Sequence, residues 1–333
     1  MLDLPLIWAA IIALGVWMYV VLDGFDLGVG IIFPFFPDDT DRQVMMNSVA
    51  PVWDGNETWM VLGGAGLFAA FPVVYSAVFP ALYLPLVLML VGLILRGVAF
   101  EIRARSRRSR PLWDLAFSGG SILATFCQGV ALGAFIQGIR VVDREFAGGP
   151  FDWLTAFSLF TGFGLLATFA MLGCGWLVFK TEGELQRRMR RLMPAFNLVL
   201  LAVIAGVSLW TPLIQPTIAE RWFGPALAWL WPVPLAVLAC AWGLHRALSG
   251  GAERRPYLLT LALVTLGYAG LLISIWPNLI PPTISLWEAA APESSLRFTL
   301  VGALVILPLI LAYTAWAYRV FRGKVRAGDA GYH

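Results

Sequence analysis

The sequence predicts an all-α, polytopic membrane protein with nine transmembrane helices, N-terminus periplasmic and C-terminus cytoplasmic. Three observations predict this. Of 333 residues, 59% are hydrophobic and only 13% are charged; a soluble domain averages ~45–50% and ~25%. The apolar residues gather into nine stretches near the ~20 residues a bilayer span needs. Basic residues crowd every second connection, as the positive-inside rule requires. This composition excludes an ordinary soluble globule, a disordered chain and a nucleic-acid binder.

The first span covers residues 5–36 and opens at Pro5. At ~1.5 Å per residue it would be ~48 Å long, more than the hydrocarbon core, so it must tilt, break or project. The second covers 52–74 and the third 76–100, ending near Arg96 and Glu101. The fourth covers 115–137 and the fifth 153–179. The sixth lies at 194–212, the seventh at 224–244, the eighth at 256–276 and the ninth at 296–321. Arg42, then Arg103 to Arg110, then Lys180 to Arg191, then Arg246 to Arg255, then Arg319 to Arg326 follow the odd spans. Only Arg140, Arg144, Arg221 and Arg297 follow the even ones. The opening Met-Leu-Asp-Leu-Pro has no basic region and does not read as a cleaved signal peptide. No soluble domain is expected, so residues 1–333 form one membrane domain. Trp222, Trp229 and Trp231 cluster at one outer edge, as interfacial belts do.

The chain has two histidines, His245 and His333, and three cysteines, Cys127, Cys174 and Cys240. These are too few, and too widely spaced, for a set of metal or haem ligands. The cysteines read as buried free thiols and His245 as a surface residue.

Charges inside spans are costly and usually functional, and two clusters qualify. Asp23 and Asp26, in the run Asp23-Gly24-Phe25-Asp26-Leu27-Gly28-Val29-Gly30, are three residues apart and share a helix face. They either tie this helix to a neighbour or carry an ion or proton. The run Trp53-Asp54-Gly55-Asn56-Glu57-Thr58-Trp59 opens the second span. Asp54 and Glu57 fit the start of a helix, with Asn47 or Ser48 as cap and Pro51 early. They equally fit a carboxylate pair that gathers protons at a cytoplasmic mouth. Arg96 either snorkels to the headgroups or pairs with one of these aspartates.

At these residues the chain resembles subunit II of the cytochrome bd-type quinol oxidases, including the cyanide-insensitive branch. The likeness is carried by residues 22–30, 46–59, 63–72 and 96–101, and by the outer loop 277–296. It implies a complex that oxidises quinol and reduces oxygen to water. In that complex three haems, two b-type and one d- or b-type, belong to a larger subunit I, the partner in a heterodimer. This chain would bind no haem by ligands of its own. Small accessory subunits and membrane lipid are further partners of the family, and some members carry a structural quinone in this subunit. By the family pattern Asp54 is a cytoplasmic proton-uptake residue, with Glu57 beside it, and Trp59 lies near an oxygen route. Asp23, Asp26, Trp53, Asn56, Arg96 and Glu101 match motif positions to which the resemblance assigns no role. Better-known members have Gln-Val where this chain has Glu57-Thr58, which adds a carboxylate beside Asp54 and bears on its titration. The implied location is the bacterial cytoplasmic membrane. A proton-coupled transporter is the competing reading, disfavoured because the polar clusters lie at one face rather than at the midplane. A scaffold subunit without a conduction role is the third.

Overall fold

The computed structural model describes residues 3–106 and 108–329. Arg107 and His333, noted above, lie outside them. The chain is a helical bundle, and its order follows from where prolines and polar turns interrupt apolar runs. α1 (Leu4–Ile32) is capped by Asp3, which accepts the Leu6 amide, with Pro5 in its first turn. α2 (Asp39–Val49) is short and polar, and starts on Asp38, whose side chain accepts the Thr40 and Asp41 amides. Those N–H donors hold the Asp38 carboxyl below the usual carboxylate range. α3 (Trp53–Ala70), α4 (Pro72–Ala81) and α5 (Tyr83–Arg105) follow.

α6 (Arg110–Gln137) leads through the hairpin β1 (Val141–Val142) and β2 (Glu145–Phe146) to α7 (Ala156–Lys180). α8 (Gly183–Ile214), α9 (Pro216–Phe223), α10 (Leu227–Leu230), α11 (Pro232–Ser249) and α12 (Arg254–Ile275) continue the bundle. The strands β3 (Asn278–Ile280) and β4 (Ile284–Ser285) pair antiparallel. They precede α13 (Leu286–Ala289) and α14 (Glu293–Val320).

Among the described residues, eight helices are long and apolar enough to cross a membrane. The difference from the predicted nine falls on the second span. α3 is 18 residues long, but Asp54, Asn56, Glu57 and Thr58 in its first two turns lower its hydropathy. The third predicted span is also divided. Residues 76–81 belong to α4, and α5 begins after Leu82. Proline explains one of these breaks: Pro72 has no N–H to donate and is tolerated in the first turn of a helix, so α4 starts there. The cap predicted for α3 is displaced. Asn47 and Ser48 lie within α2, and the residue before α3 is Val52, which makes no side-chain cap bond.

α1 is the central post, packed against α3, α6 and α7. Residues 23–30 of α1 are all buried. Glycine permits this: a Cβ on Gly28 would overlap the Phe169 carbonyl, and one on Gly173 would overlap the Gly28 backbone. Helices without side chains at their crossing approach closely and gain dispersion contact, the main attraction available in lipid. α5 and α6 repeat the device, since a Cβ on Gly92 would lie 2.6 Å from the Gly120 carbonyl oxygen. α14 differs: among its described residues only Leu296 is fully buried, Leu300, Ala303 and Tyr318 pack against the core, and Phe298, Val301, Leu304 and Leu309 are exposed. Such a face needs lipid or a partner chain against it.

Contacts at the chain's basic connections gather them at one end of the bundle. Arg103 bonds Asp39, Arg188 bonds Asp41, Lys324 bonds Glu253 and Arg326 bonds Glu182. The opposite end is tied by Trp8 to the Leu296 carbonyl and by Ala291 to Ala70.

Replacing Gly28 by Val is expected to lower the thermal melting temperature of the detergent-purified protein, at a cost of about 1–3 kcal/mol or more. Gly119→Ala, where an added Cβ meets open space, is expected to leave it unchanged. Equal melting of the two variants would contradict the close-packed crossing.

Candidate functional site: a buried carboxylate–arginine cluster

Near the basic end of the bundle, α1, α3, α5 and α14 bring polar side chains into one buried cluster. Arg96 of α5 is fully buried. Its Nη1 donates to Asp23 Oδ1 at 2.7 Å and its Nη2 to Glu57 Oε2 at 2.7 Å. The guanidinium lies over the Trp53 ring, 5.8 Å from its centroid, and Trp53 stacks on Phe100. Asn56 Nδ2 donates to Asp26 Oδ2 at 2.7 Å. The Tyr318 hydroxyl of α14 donates to Asn56 Oδ1 at 2.9 Å. Thus Asn56 is held from both sides, and its amide orientation is fixed.

The cluster is not saturated. Asp23 Oδ2, Asp26 Oδ1 and Arg96 Nε are buried and have no hydrogen-bond partner among the described residues. Ionised together, Asp23, Asp26 and Glu57 carry three negative charges against one on Arg96. Burying a charge is tolerable only when it is paired. Asp26 has only a neutral amide as its partner, so a proton can be taken up there while reducing the charge imbalance.

Of the residues singled out in the sequence, Asp23, Asp26, Trp53, Asn56, Glu57 and Arg96 come together. Arg96 does not snorkel, because its charge is consumed by two carboxylates on other helices. Asp54 stands apart: it is exposed and makes no hydrogen bond or ion pair among the described residues. Glu57, with 26% of its side chain exposed, bridges that rim and the buried interior. Glu101 is exposed and, among the described residues, pairs only with Arg105, at 3.8 Å. Trp59 is buried, and its Nε1 has no partner among the described residues. His245 is exposed. Cys127 and Cys174 are buried free thiols and Cys240 is partly buried. Among the described residues no group of three His, Cys, Asp or Glu side chains is placed to hold a metal ion.

Sequence reading missed two things. Tyr318 looks like one more aromatic in an interfacial run, and nothing local marks its bond to Asn56. A second ionic knot also escaped. Arg103 bonds Asp114, Gln43 and Asp39, while Arg42 bonds Asp114 and Arg110 bonds Asp39. It fastens α2 onto α5 and α6. Asp114, a carboxylate in an apolar run, was the available signal.

The whole chain can now be compared with known proteins. A family model described as cytochrome bd terminal oxidase subunit II matches residues 4–321. The chain belongs to that family. Subunit 2 of the cytochrome bd-I ubiquinol oxidase of Escherichia coli K12 is 29% identical over 371 residues, which cover 98% of this chain and 96% of the relative. Subunit 2 of the Bacillus subtilis cytochrome bd ubiquinol oxidase is 28% identical, over 97% of this chain and 96% of that one. The bd oxidase structure from Geobacillus thermodenitrificans matches with a TM-score of 0.76 at 16% identity, covering 96% of this chain and 99% of the other. That likeness concerns the fold. As subunit II of a cytochrome bd oxidase, the chain is part of a quinol oxidase complex, an oxidoreductase, and a multi-pass membrane protein.

Arg96→Leu leaves Asp23 as an unpaired buried charge and is expected to cost about 3–5 kcal/mol. Arg96→Leu combined with Asp23→Leu is expected to recover part of that loss in thermal melting. A double variant as unstable as the sum of its singles would contradict the pairing.

Proposed function

We propose that this subunit supports a larger haem-bearing subunit I and contributes a proton-uptake path, with an oxygen route near Trp59, during oxygen reduction at the partner's haems. The observation that carries the proposal is the graded polarity from Asp54 to Glu57 to the Arg96 cluster. Asp54 is exposed, Glu57 is half in and half out, and Asp23 and Asp26 are fully buried with free oxygens. Carboxylates so arranged can take protons at a surface and hand them inward. Each charge moved against 100 mV stores ~2.3 kcal/mol. A narrow polar way through an otherwise apolar bundle limits leakage of that energy.

In this reading the basic end faces the cytoplasm, by the positive-inside rule. α3, despite its polar opening, then completes nine spans, with the N-terminus in the periplasm and the C-terminus in the cytoplasm. The membrane is the bacterial cytoplasmic membrane. The three haems, two b-type and one d- or b-type, lie in subunit I and supply the electron transfer and oxygen chemistry. A structural quinone and small accessory subunits complete the assembly in the family pattern. Glu57, where the better-known members of the family have Gln, takes a role of its own: by holding Arg96 from the surface side it couples the mouth to the interior.

Asp54→Asn in the intact complex is expected to slow quinol-dependent oxygen uptake by on the order of tenfold or more, with the haem spectrum unchanged. Unchanged turnover would favour the scaffold reading.

A further inference from the structure

A cavity of about 370 Å³ lies at the basic end of the bundle, within the ~300–1,000 Å³ typical of small-molecule sites. Its walls are of two kinds. Val52, Trp176, Phe179 and Tyr318 form an aromatic and aliphatic body. Asn47, Lys180 and Arg322 add polar groups to it. Residues 321–325 close one side, folded back after α14 over the end of α7. There the Val325 amide donates to the Lys180 carbonyl at 2.8 Å, and Lys324 Nζ to the Thr181 carbonyl at 2.9 Å.

The three polar groups are donors with capacity left. Lys180 is only 5% exposed, and its ammonium lies 5.3 Å from the Trp176 ring centroid. Its Nζ donates to the Phe321 and Gly323 carbonyls. An ammonium has three N–H groups, so one remains. Carbonyls do not cancel the charge, and no carboxylate pairs with Lys180 among the described residues. A buried cation without a counter-ion is costly. Lys324, by contrast, is matched by Glu253 at 2.9 Å. Arg322 is exposed and makes no hydrogen bond or ion pair among the described residues. The orientation of Asn47 follows from a chain of bonds. Arg103 can only donate, and its Nη1 holds Gln43 Oε1 at 3.0 Å. Gln43 Nε2 then donates to Asn47 Oδ1 at 2.9 Å. The Nδ2 hydrogens of Asn47 are left to offer, without a partner among the described residues. Asp329 is the one acidic side chain lining the cavity, and its Oδ2 accepts the Arg326 amide at 2.7 Å. The cavity therefore joins unmatched positive charge to an apolar body.

We propose that this cavity binds an anionic phospholipid. The lipid phosphate accepts hydrogen bonds from Lys180, Arg322 and Asn47, and its glycerol and first methylenes lie against Trp176, Phe179 and Tyr318. The site is independent of the proton path. A free phosphate matches the donors but has nothing to set against the aromatic wall, so the lipid is the better fit. The location agrees with it. By the positive-inside rule the basic end meets the cytoplasmic leaflet, whose anionic headgroups are drawn to basic pockets between helices. The bound phosphate supplies the counter-ion that Lys180 lacks. It also ties residues 321–325 to α7, through Arg322 on one side and Lys180 on the other.

The test is a native mass-spectrometry titration of the delipidated, intact oxidase complex. The probes are phosphatidylglycerol, phosphatidylcholine and inorganic phosphate. Phosphatidylglycerol is expected to bind about tenfold more tightly than phosphatidylcholine. Arg322→Gln is expected to weaken phosphatidylglycerol binding about fivefold, the loss of one surface cation. Lys180→Met is expected to weaken it about tenfold or more, the loss of a charged hydrogen bond. Arg255→Gln removes an exposed arginine outside the cavity and is expected to change nothing. Equal affinity for the two lipids, or phosphatidylglycerol binding untouched by Arg322→Gln, overturns the site. A loss in Arg255→Gln as large as in Arg322→Gln also overturns it, because the attraction is then diffuse. Inorganic phosphate that displaces the lipid at equal concentration assigns the cavity to a small anion and overturns the lipid. A quinone mass, retained by the parent complex and lost in Arg322→Gln, overturns it in favour of a neutral amphiphile. Lys180→Met also removes two bonds to residues 321–325, so Arg322→Gln decides where the two variants disagree.

Discussion

The guanidinium of Arg96, buried among helices that have no water to offer, is the constraint on which this end of the molecule depends. A charge at that depth cannot be left alone. It draws Asp23 from α1 and Glu57 from α3 to within 2.7 Å, and it sets the register of three helices at once. The stacked rings of Trp53 and Phe100 close over it. Buried ion pairs contribute little net stability compared with an apolar core of the same shape. In the proposed reading the cluster serves proton uptake rather than stability. The cluster has more carboxylate than guanidinium, and Asp23 Oδ2 and Asp26 Oδ1 have no partner among the described residues, the feature on which the proposed proton site rests.

The second knot, around Arg103 and Asp114, shows the contrast. There three arginines meet two aspartates and Gln43, with Asp39 and Arg110 partly open to solvent. That arrangement fastens α2 across the ends of α5 and α6. Residues 321–325 do the same for the end of α7, through bonds to Lys180 and Thr181. One end of the bundle is therefore rich in fixed charge, and the Arg96 cluster sits just inside it.

Much of the fold was legible in the sequence, because the hydropathy signal of a long apolar helix is strong and local. The polar opening of α3 is the exception, since the same residues that build the site weaken its signal as a span. The site was legible as a set of residues but not as a geometry. Spacing of three places Asp23 and Asp26 on one face of α1, yet their partners come from helices 30 to 73 residues away. Nothing local tells Arg96 from a snorkelling arginine. Glu101 follows Arg96 by five residues, about 140° around the helix, and so points away from the cluster it seemed to accompany. Tyr318 carries no charge, and its bond to Asn56 spans 262 residues; only the packing of α14 brings it in.

The central claim is that buried carboxyl groups of this subunit gain and lose protons as the oxidase turns over. The most direct measurement is the infrared difference spectrum of the intact complex between its reduced and oxidised states. The account requires a carboxyl C=O stretching band that shifts in heavy water and disappears in the Asp26→Asn variant. A spectrum without such a band, or one unchanged by that substitution, would show that the cluster is a fixed ionic clamp and takes no part in proton movement.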